Sequence, residues 1–345
     1  MGSVKDLEIL KKPTESEVGL GRFIFSDRYS VFDWGEMPDH IPNKGAALCI
    51  MGSVCFEGIE KMGIKTHYQG LVGSDGKAHR LEELEEPSNI MEVGIVNVVR
   101  PKFEDGVYDY SNYRSDLANL LIPLEIIYRN SLPEGSSVFK RLERGDTTYG
   151  ELGLDKMPTP GDKLEEPIFD VSTKLEERDR YISWKEAQEI SCMNESEVDG
   201  VKDVLKKVND LITETGKKAG LFNEDGKIEL AYDPNRELML VDILGTLDEC
   251  RFTYDGMSVS KEVARKYYKT TGWYRDVEMA KNEADEKKVR EWKELCRTQP
   301  EKLPEELKTI VGQMYTSTAN VFLGRNIFES PKLEEVVKAY KDFIQ

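Results

Sequence analysis

Glu229 and Asp242 lie on either side of a turn, in "KIELAY", "DPN" and "ELMLVDI". The text reads strand, turn and strand, a hairpin from Lys227 to Ile243. Side chains of a strand alternate faces, so Lys227 and Glu229 share one face while Ile228 and Leu230 take the other. Near-symmetric pairing about Pro234-Asn235 brings Asp242 close to Glu229. Two carboxylates meeting across strands repel unless a cation joins them. Mg2+ carried on phosphates is such a cation, because it takes only one or two protein carboxylates. The same spacing also fits a solvated edge hairpin with a Lys–Glu pair.

Three further segments carry candidate chemistry. "RNSLPEGSSVFKRL" ends a strand on Arg129 and continues through Gly135, Ser136 and Ser137 to Lys140 and Arg141. Arginine, serine and backbone N–H groups together suit a phosphate monoester. The segment is neither a Walker A nor a GxGxxG loop, and a plain loop with a basic helix start is the alternative. "EEPIFDVSTKLEERD" sets Lys174 between hydroxyls and acids, a weak signal alone. "FIFSDRYSVFDWG" crowds Asp27, Arg28, Ser30 and Asp33 onto a strand end. They suit a wall facing a charged small molecule. They equally suit a capped turn in which Asp27 and Ser30 bond nearby backbone N–H groups.

The elements that must position these residues are mixed. "GLGRFIF" reads as the opening strand. Leu48, Met51, Cys55, Ile59 and Met62 repeat at helical spacing. Met91 to Val99 and Leu121 to Arg129 read as strands, with a polar insertion or long loop over 101–119. A second irregular stretch runs over 143–166. Ser183 to Glu186 has capping-box spacing and opens a short helix. Val204, Leu205, Val208, Leu211 and Ile212 mark one apolar helical face. After Arg251 the chain reads as mostly helical and ends in two helices. Strands early and helices late predict an α+β fold.

Composition excludes several functions. The 48 basic residues against 65 acidic ones give a net charge of −17, which argues against a nucleic-acid partner. Anionic small ligands need only a local basic cluster. No apolar run reaches the ~20 residues that span a bilayer, so no membrane partner is expected. No signal-peptide core opens the chain. Cys49, Cys55, Cys192, Cys250 and Cys296 form no CxxC pair, and His40, His67 and His79 sit in no metal-binding spacing. Reduced thiols and a cytoplasmic location are the expectation.

Taken together and in order, five segments resemble the SAICAR synthetase (phosphoribosylaminoimidazole-succinocarboxamide synthase) family. They are "SDRYSVFDWGEMPDHIPNKGAAL", "IPLEIIYRNSLPEGSSVFKRL", "EEPIFDVSTKLEERDRYIS", "AGLFNEDGKIEL" and "LMLVDILGTLDECRF". "LPEELKTIVGQMYTSTANVFLG" also resembles the family's last helices. The resemblance implies a two-lobed fold similar to ATP-grasp enzymes, with antiparallel sheets and a helical C-terminal region. It implies an N-terminal lobe over 1–121 and a C-terminal lobe over 122–345 that holds the nucleotide and ribotide. The implied reaction joins the carboxylate of carboxyaminoimidazole ribotide (CAIR) to the amine of L-aspartate, using ATP and Mg2+ through a phosphorylated carboxylate.

Residue by residue, the resemblance makes Glu229 and Asp242 the Mg2+–ATP carboxylates. Lys174 and Lys227 become lysines near nucleotide and substrate. Arg129, Ser136 and Arg251 hold the ribotide phosphate. The backbone from Leu121 to Pro123 reads adenine. Asp33 and the Lys44-Gly45 turn face the imidazole and aspartate. The family's opening phosphate loop is altered here, with Ser3 at its first lysine position and Lys5 at its second. Arg178-Asp179 stands where a His-Asp pair is common. A homo-oligomer is compatible with all of this. Another carboxylate–amine ligase, or a small-molecule kinase, on the same fold is the competing expectation.

Overall fold

Alternation builds the first sheet. In Gly19–Phe25 every second residue is buried, as a strand with one face on a core requires. The computed structural model describes residues 4–104, 106–287 and 291–345. In it, β1 (Lys5–Lys11), β2 (Gly19–Phe25), β3 (Tyr68–Val72), β4 (Ala78–His79) and β5 (Ile90–Ile95) form an antiparallel sheet ordered β1-β2-β5-β3-β4. Helix α1 (Lys44–Lys61) covers one face of it.

The second sheet carries the candidate residues. After a small hairpin, β6 (Lys102–Glu104) and β7 (Val107–Asp109), come β8 (Leu120–Leu121), β9 (Leu124–Leu132), α2 (Ser137–Arg144) and β10 (Asp162–Thr173). Then follow α3 (Trp184–Ser191), α4 (Glu195–Lys218), β11 (Leu221–Tyr232), β12 (Leu238–Val241), β13 (Cys250–Tyr254) and β14 (Met257–Ser258). The sheet runs β10-β9-β11-β13-β14, and β8 and β12 pair with the far half of β11. Helices α5 (Glu262–Lys269), α6 (Gly272–Lys287), α7 (Glu305–Leu323) and α8 (Leu333–Phe343) complete the described chain.

The run Leu121 to Arg129, expected as one strand, is two. Pro123 has no N–H to give a ladder, so the sheet breaks beside it. Leu120 and Leu121 pair with Tyr232 and Ala231, while β9 pairs with Asp225 to Ile228. The strand expected over Met91 to Val99 stops at Ile95. Part of the 101–119 insertion forms the β6–β7 hairpin. Helices resume only at Glu262, because β13, which holds Arg251, and β14 come first. Ser183 does cap its helix, accepting from the N–H of Glu186 at 3.1 Å.

One apolar core joins both sheets, from Phe23 and Met51 through Ile243 to Leu230 and Tyr315. Two backbone bonds tie the first sheet's edge to β12: His67 N to Leu240 O, and Leu240 N to Lys65 O. His67 also bridges the carbonyls of Gly94 and Asp242, at 3.2 and 3.0 Å. That contact fixes the backbone of Asp242, which sits at φ 63°.

Gly226 lies between the charged residues of β11 but points the other way. Its cross-strand partners are Tyr128 and Cys250. A Cβ there would fall on the Tyr128 hydroxyl and the Cys250 Sγ. Gly226→Ala should therefore force β9 and β13 apart and cost roughly 1–3 kcal/mol, the usual scale of overpacking. A urea titration checks this: the midpoint should fall with the slope unchanged.

Candidate active site

Strand β11 sets a row of charges at period 2. Asp225, Lys227 and Glu229 share its outer face, while Ile228 and Leu230 enter the core with 1% and 0% exposure. Antiparallel register then places neighbours. Asp225 pairs with both Arg129 on β9 and Arg251 on β13. Further along, Lys227 meets Glu125 of β9 at 2.7 Å and Glu249, beside β13, at 3.5 Å. Lys174, just past β10, reaches Glu125 at 3.1 Å and Glu229 at 2.6 Å. Glu125 was missed by sequence reasoning. Its signal was a lone charge inside the apolar run "LIPLEIIY".

Glu229 pairs across the hairpin with Val241, which brings Asp242 beside it. Burial raises the pKa of Glu229, and the charge of Asp242 raises it further, to about 7. Burial also opposes charge on Asp242, but Lys5 at 2.7 Å overcomes it and the pKa is lowered. Burial lowers Lys174, yet Glu229 and Glu125 overcome it and hold the ammonium raised. The neighbouring Asp179 is pushed up, first by burial and then by Glu125. The hairpin is thus an electrostatically loaded site and not a solvated edge.

At the other end, Arg129 and Arg251 converge on Asp225, at 3.6 and 2.7 Å. Arg129 is only 3% exposed and donates to Ser137, Asp170 and Tyr181. Arg251 is more open, with 22% of its side chain exposed. Ser136 is buried, and its hydroxyl caps α2 by accepting from the N–H of Val138. The adjacent Ser137 is the serine that meets Arg129. The structure therefore brings the two arginines together, while the Ser136 hydroxyl caps α2.

The opening stretch resolves into both of its readings. Asp27 accepts from the N–H groups of Asn43 and Gly45, and Ser30 from that of Gly35, as in a capped turn. Ser30, Phe32 and Asp33 also line a cavity of about 300 Å3 with Lys44, Lys227, Asp248, Glu249, Lys261 and Arg265. Lys44 is buried against Asp248 at 2.5 Å. Asp33 points outward, 85% exposed, and pairs with Lys281.

Two expected parts differ in detail. Lys5 begins strand β1 and does not sit in a loop. Ser3 lies outside the described residues. In the link, the N–H groups of Leu121, Ile122 and Leu124 donate to Asn97, Leu230 and Ile122, and the Pro123 carbonyl accepts from Lys174. Those backbone groups are engaged within the chain.

Comparison with known proteins bears on this geometry. The SAICAR synthetase family profile matches residues 14–280. The chain belongs to that family. It is 50% identical over 345 residues, all of both chains, to an Archaeoglobus fulgidus protein provisionally named phosphoribosylaminoimidazole-succinocarboxamide synthase. A Thermoplasma acidophilum protein of that name is 34% identical over 259 residues, covering 73% of this chain and 79% of its own. Among solved structures, the Saccharomyces cerevisiae SAICAR synthase in complex with SAICAR shares the fold at TM-score 0.64 and 21% identity, covering 94% of each chain. A type-2 SAICAR synthetase in complex with ADP does so at TM-score 0.55 and 22% identity, covering 88% of this chain and 99% of its own.

The donor set by itself fits only in part the Mg2+ that the resemblance implies. Among the described residues, no group of three or more His, Cys, Asp or Glu gathers to hold an ion. Glu229 and Asp242 supply two carboxylates, the number Mg2+ takes when phosphates complete its shell. Their mutual repulsion, now offset by Lys174 and Lys5, is what a divalent cation relieves.

The raised Glu229 gives a signed pH dependence. Between its ordinary value of 4.5 and about 7 it keeps its proton in the folded chain and loses it in the unfolded one. Stability contributed by this group falls as pH rises through that window. Asp242 acts oppositely, and its contribution is lost only in acid. Glu229→Gln should flatten the fall between about pH 5 and 7. Denaturant midpoints measured across that range check the slope.

Proposed function

We propose that this SAICAR synthetase family member is an ATP-dependent ligase that joins CAIR to L-aspartate, giving SAICAR, ADP and phosphate. The observation that carries the reading is the charged row of β11. It runs from the arginine pair at Asp225 to the carboxylate pair at Glu229, and a polar cavity opens beside Lys227. A kinase needs one acceptor site next to its phosphates, whereas a ligase needs room for an amine as well.

A carboxylate is a poor electrophile, because its charge repels nucleophiles and oxide does not leave. Transfer of a phosphoryl group supplies a leaving group. Glu229 and Asp242 would hold Mg2+, which supplies charge neutralisation to the transferring phosphoryl group. Lys174 and Lys227 turn from Glu229 and Glu125 toward anionic substrate oxygens. Lys5 sits at Asp242 and suits the nucleotide phosphates. Arg251, the more exposed of the pair, grips the ribotide phosphate. Arg129 stays buried and holds Asp225, which aims Arg251.

Purified protein supplied with CAIR and Mg-ATP should release ADP only when L-aspartate is added. ADP release that needs CAIR but no amine would favour the kinase reading. Truncating one partner of a desolvated charge pair costs about 2–5 kcal/mol. Arg251→Ala should thus weaken CAIR binding by roughly 30-fold or more, at tenfold per 1.4 kcal/mol. Isothermal titration of CAIR and of ATP separates the sites, since ATP binding should change little.

A further inference from the structure

The 101–119 insertion reaches the loop that follows Lys174. Tyr108 and Tyr110 are two residues apart and share a face, while Asp109 turns the other way and bonds the N–H and hydroxyl of Ser111. Both tyrosine hydroxyls meet the loop. Tyr108 Oη accepts from the Glu177 N–H at 2.8 Å, and the Tyr110 hydroxyl donates to Glu176 Oε1 at 3.0 Å. The Glu176 side chain is only 6% exposed, enclosed between Tyr110 and Arg180. Burial, and then Glu176, raise the pKa of Tyr110, so its hydroxyl keeps the proton it donates.

The insertion is itself anchored. Tyr108 packs on Phe103 across the β6–β7 hairpin, with 4.7 Å between ring centroids. The Tyr113 hydroxyl donates to the Val99 carbonyl at 2.6 Å, and the Asn119 side chain donates to the carbonyls of Thr14 and Glu17, both at 2.7 Å. The stem of the loop is closed separately. The Thr173 N–H donates to the Arg180 carbonyl at 3.0 Å, and the Thr173 hydroxyl accepts from the Arg180 N–H at 3.1 Å. The tyrosines therefore act on the middle of the loop, where stem bonds do not reach.

We propose that Tyr108 and Tyr110 are positioning residues for Lys174, acting through the Lys174-to-Arg180 loop. The assignment rests on the function proposed above, in which the Lys174 ammonium leaves Glu229 and Glu125 for anionic substrate oxygens. In that exchange the ion pairs that hold the side chain in the free protein break. The backbone must then keep Lys174 in place. On one side the Pro123 carbonyl accepts its N–H at 3.0 Å. On the other, the two tyrosines hold Glu176 and Glu177. A loop fixed before the ligands arrive spares binding and turnover the cost of ordering it.

Tyr108→Phe and Tyr110→Phe keep both rings and remove only the hydroxyls. In the double variant, kcat/KM for ATP should fall roughly five- to thirtyfold, the scale of two net hydrogen bonds. Each single variant should show part of that loss. The dissociation constant of CAIR, measured by isothermal titration, should stay within about twofold of wild type, because Arg251 lies at the far end of the charged row. Lys174→Met should lower the same kcat/KM by at least as much. An unchanged kcat/KM for ATP in the double tyrosine variant overturns the proposal. An equal loss of CAIR affinity also overturns it, because it indicates a distorted lobe. A Lys174→Met that leaves kcat/KM for ATP intact overturns it as well. Wild-type protein whose ADP release ignores the amine overturns the ligase reading itself, and is recognised before any variant is measured.

Discussion

A partly buried run of carboxylates cannot stand without cations, and that constraint organises this molecule. Glu125, Asp225, Glu229 and Asp242 sit close together on or beside one sheet face. Removing a charge from water costs several kcal/mol unless it is paired. The chain meets the cost with Lys174, Lys227, Lys5 and two arginines, drawn from strands and loops far apart in sequence. These pairs do not make the fold especially stable. Under the proposed function, anionic ligands and a divalent cation take these charges over.

The scaffold follows from that need. β11 is bordered by β9 and β13 along one half and by β8 and β12 along the other. Every cross-strand partner of the row is thereby fixed by register. Pro123 divides β8 from β9, and the turn at Asp233 to Glu237 returns the chain so that Asp242 arrives beside Glu229. His67 joins the two sheets where Asp242 needs its backbone held. Burial pushes this histidine down to about 4, so at ordinary pH it is neutral and its single N–H serves one of the two carbonyls at a time.

Much of this was legible in the sequence, because local periodicity encodes it. The β11–β12 hairpin, the helical faces and the nearness of Glu229 to Asp242 all follow from alternation and turn chemistry. The partners did not follow. Glu125 and Asp225 acquire their partners only through strand register, which no short stretch specifies. Arg129 and Arg251 came together as the family resemblance implied, yet the side chains that meet them could not be read locally. Ser136 shows the limit most clearly. Ser136 and Ser137 are chemically identical in sequence, and only the start of α2 decides which hydroxyl caps the helix and which meets Arg129.

The central claim is that Lys174 stands in for ligand charge at Glu229. A double-mutant cycle of Lys174→Met and Glu229→Gln, measured by unfolding free energy with and without Mg-ADP, tests it most directly. Contacting charges in one network couple by about 0.5–3 kcal/mol. The account predicts coupling in that range for the free protein and its near disappearance when Mg-ADP is bound. Additive effects in the free protein, or coupling that the nucleotide leaves untouched, would contradict it.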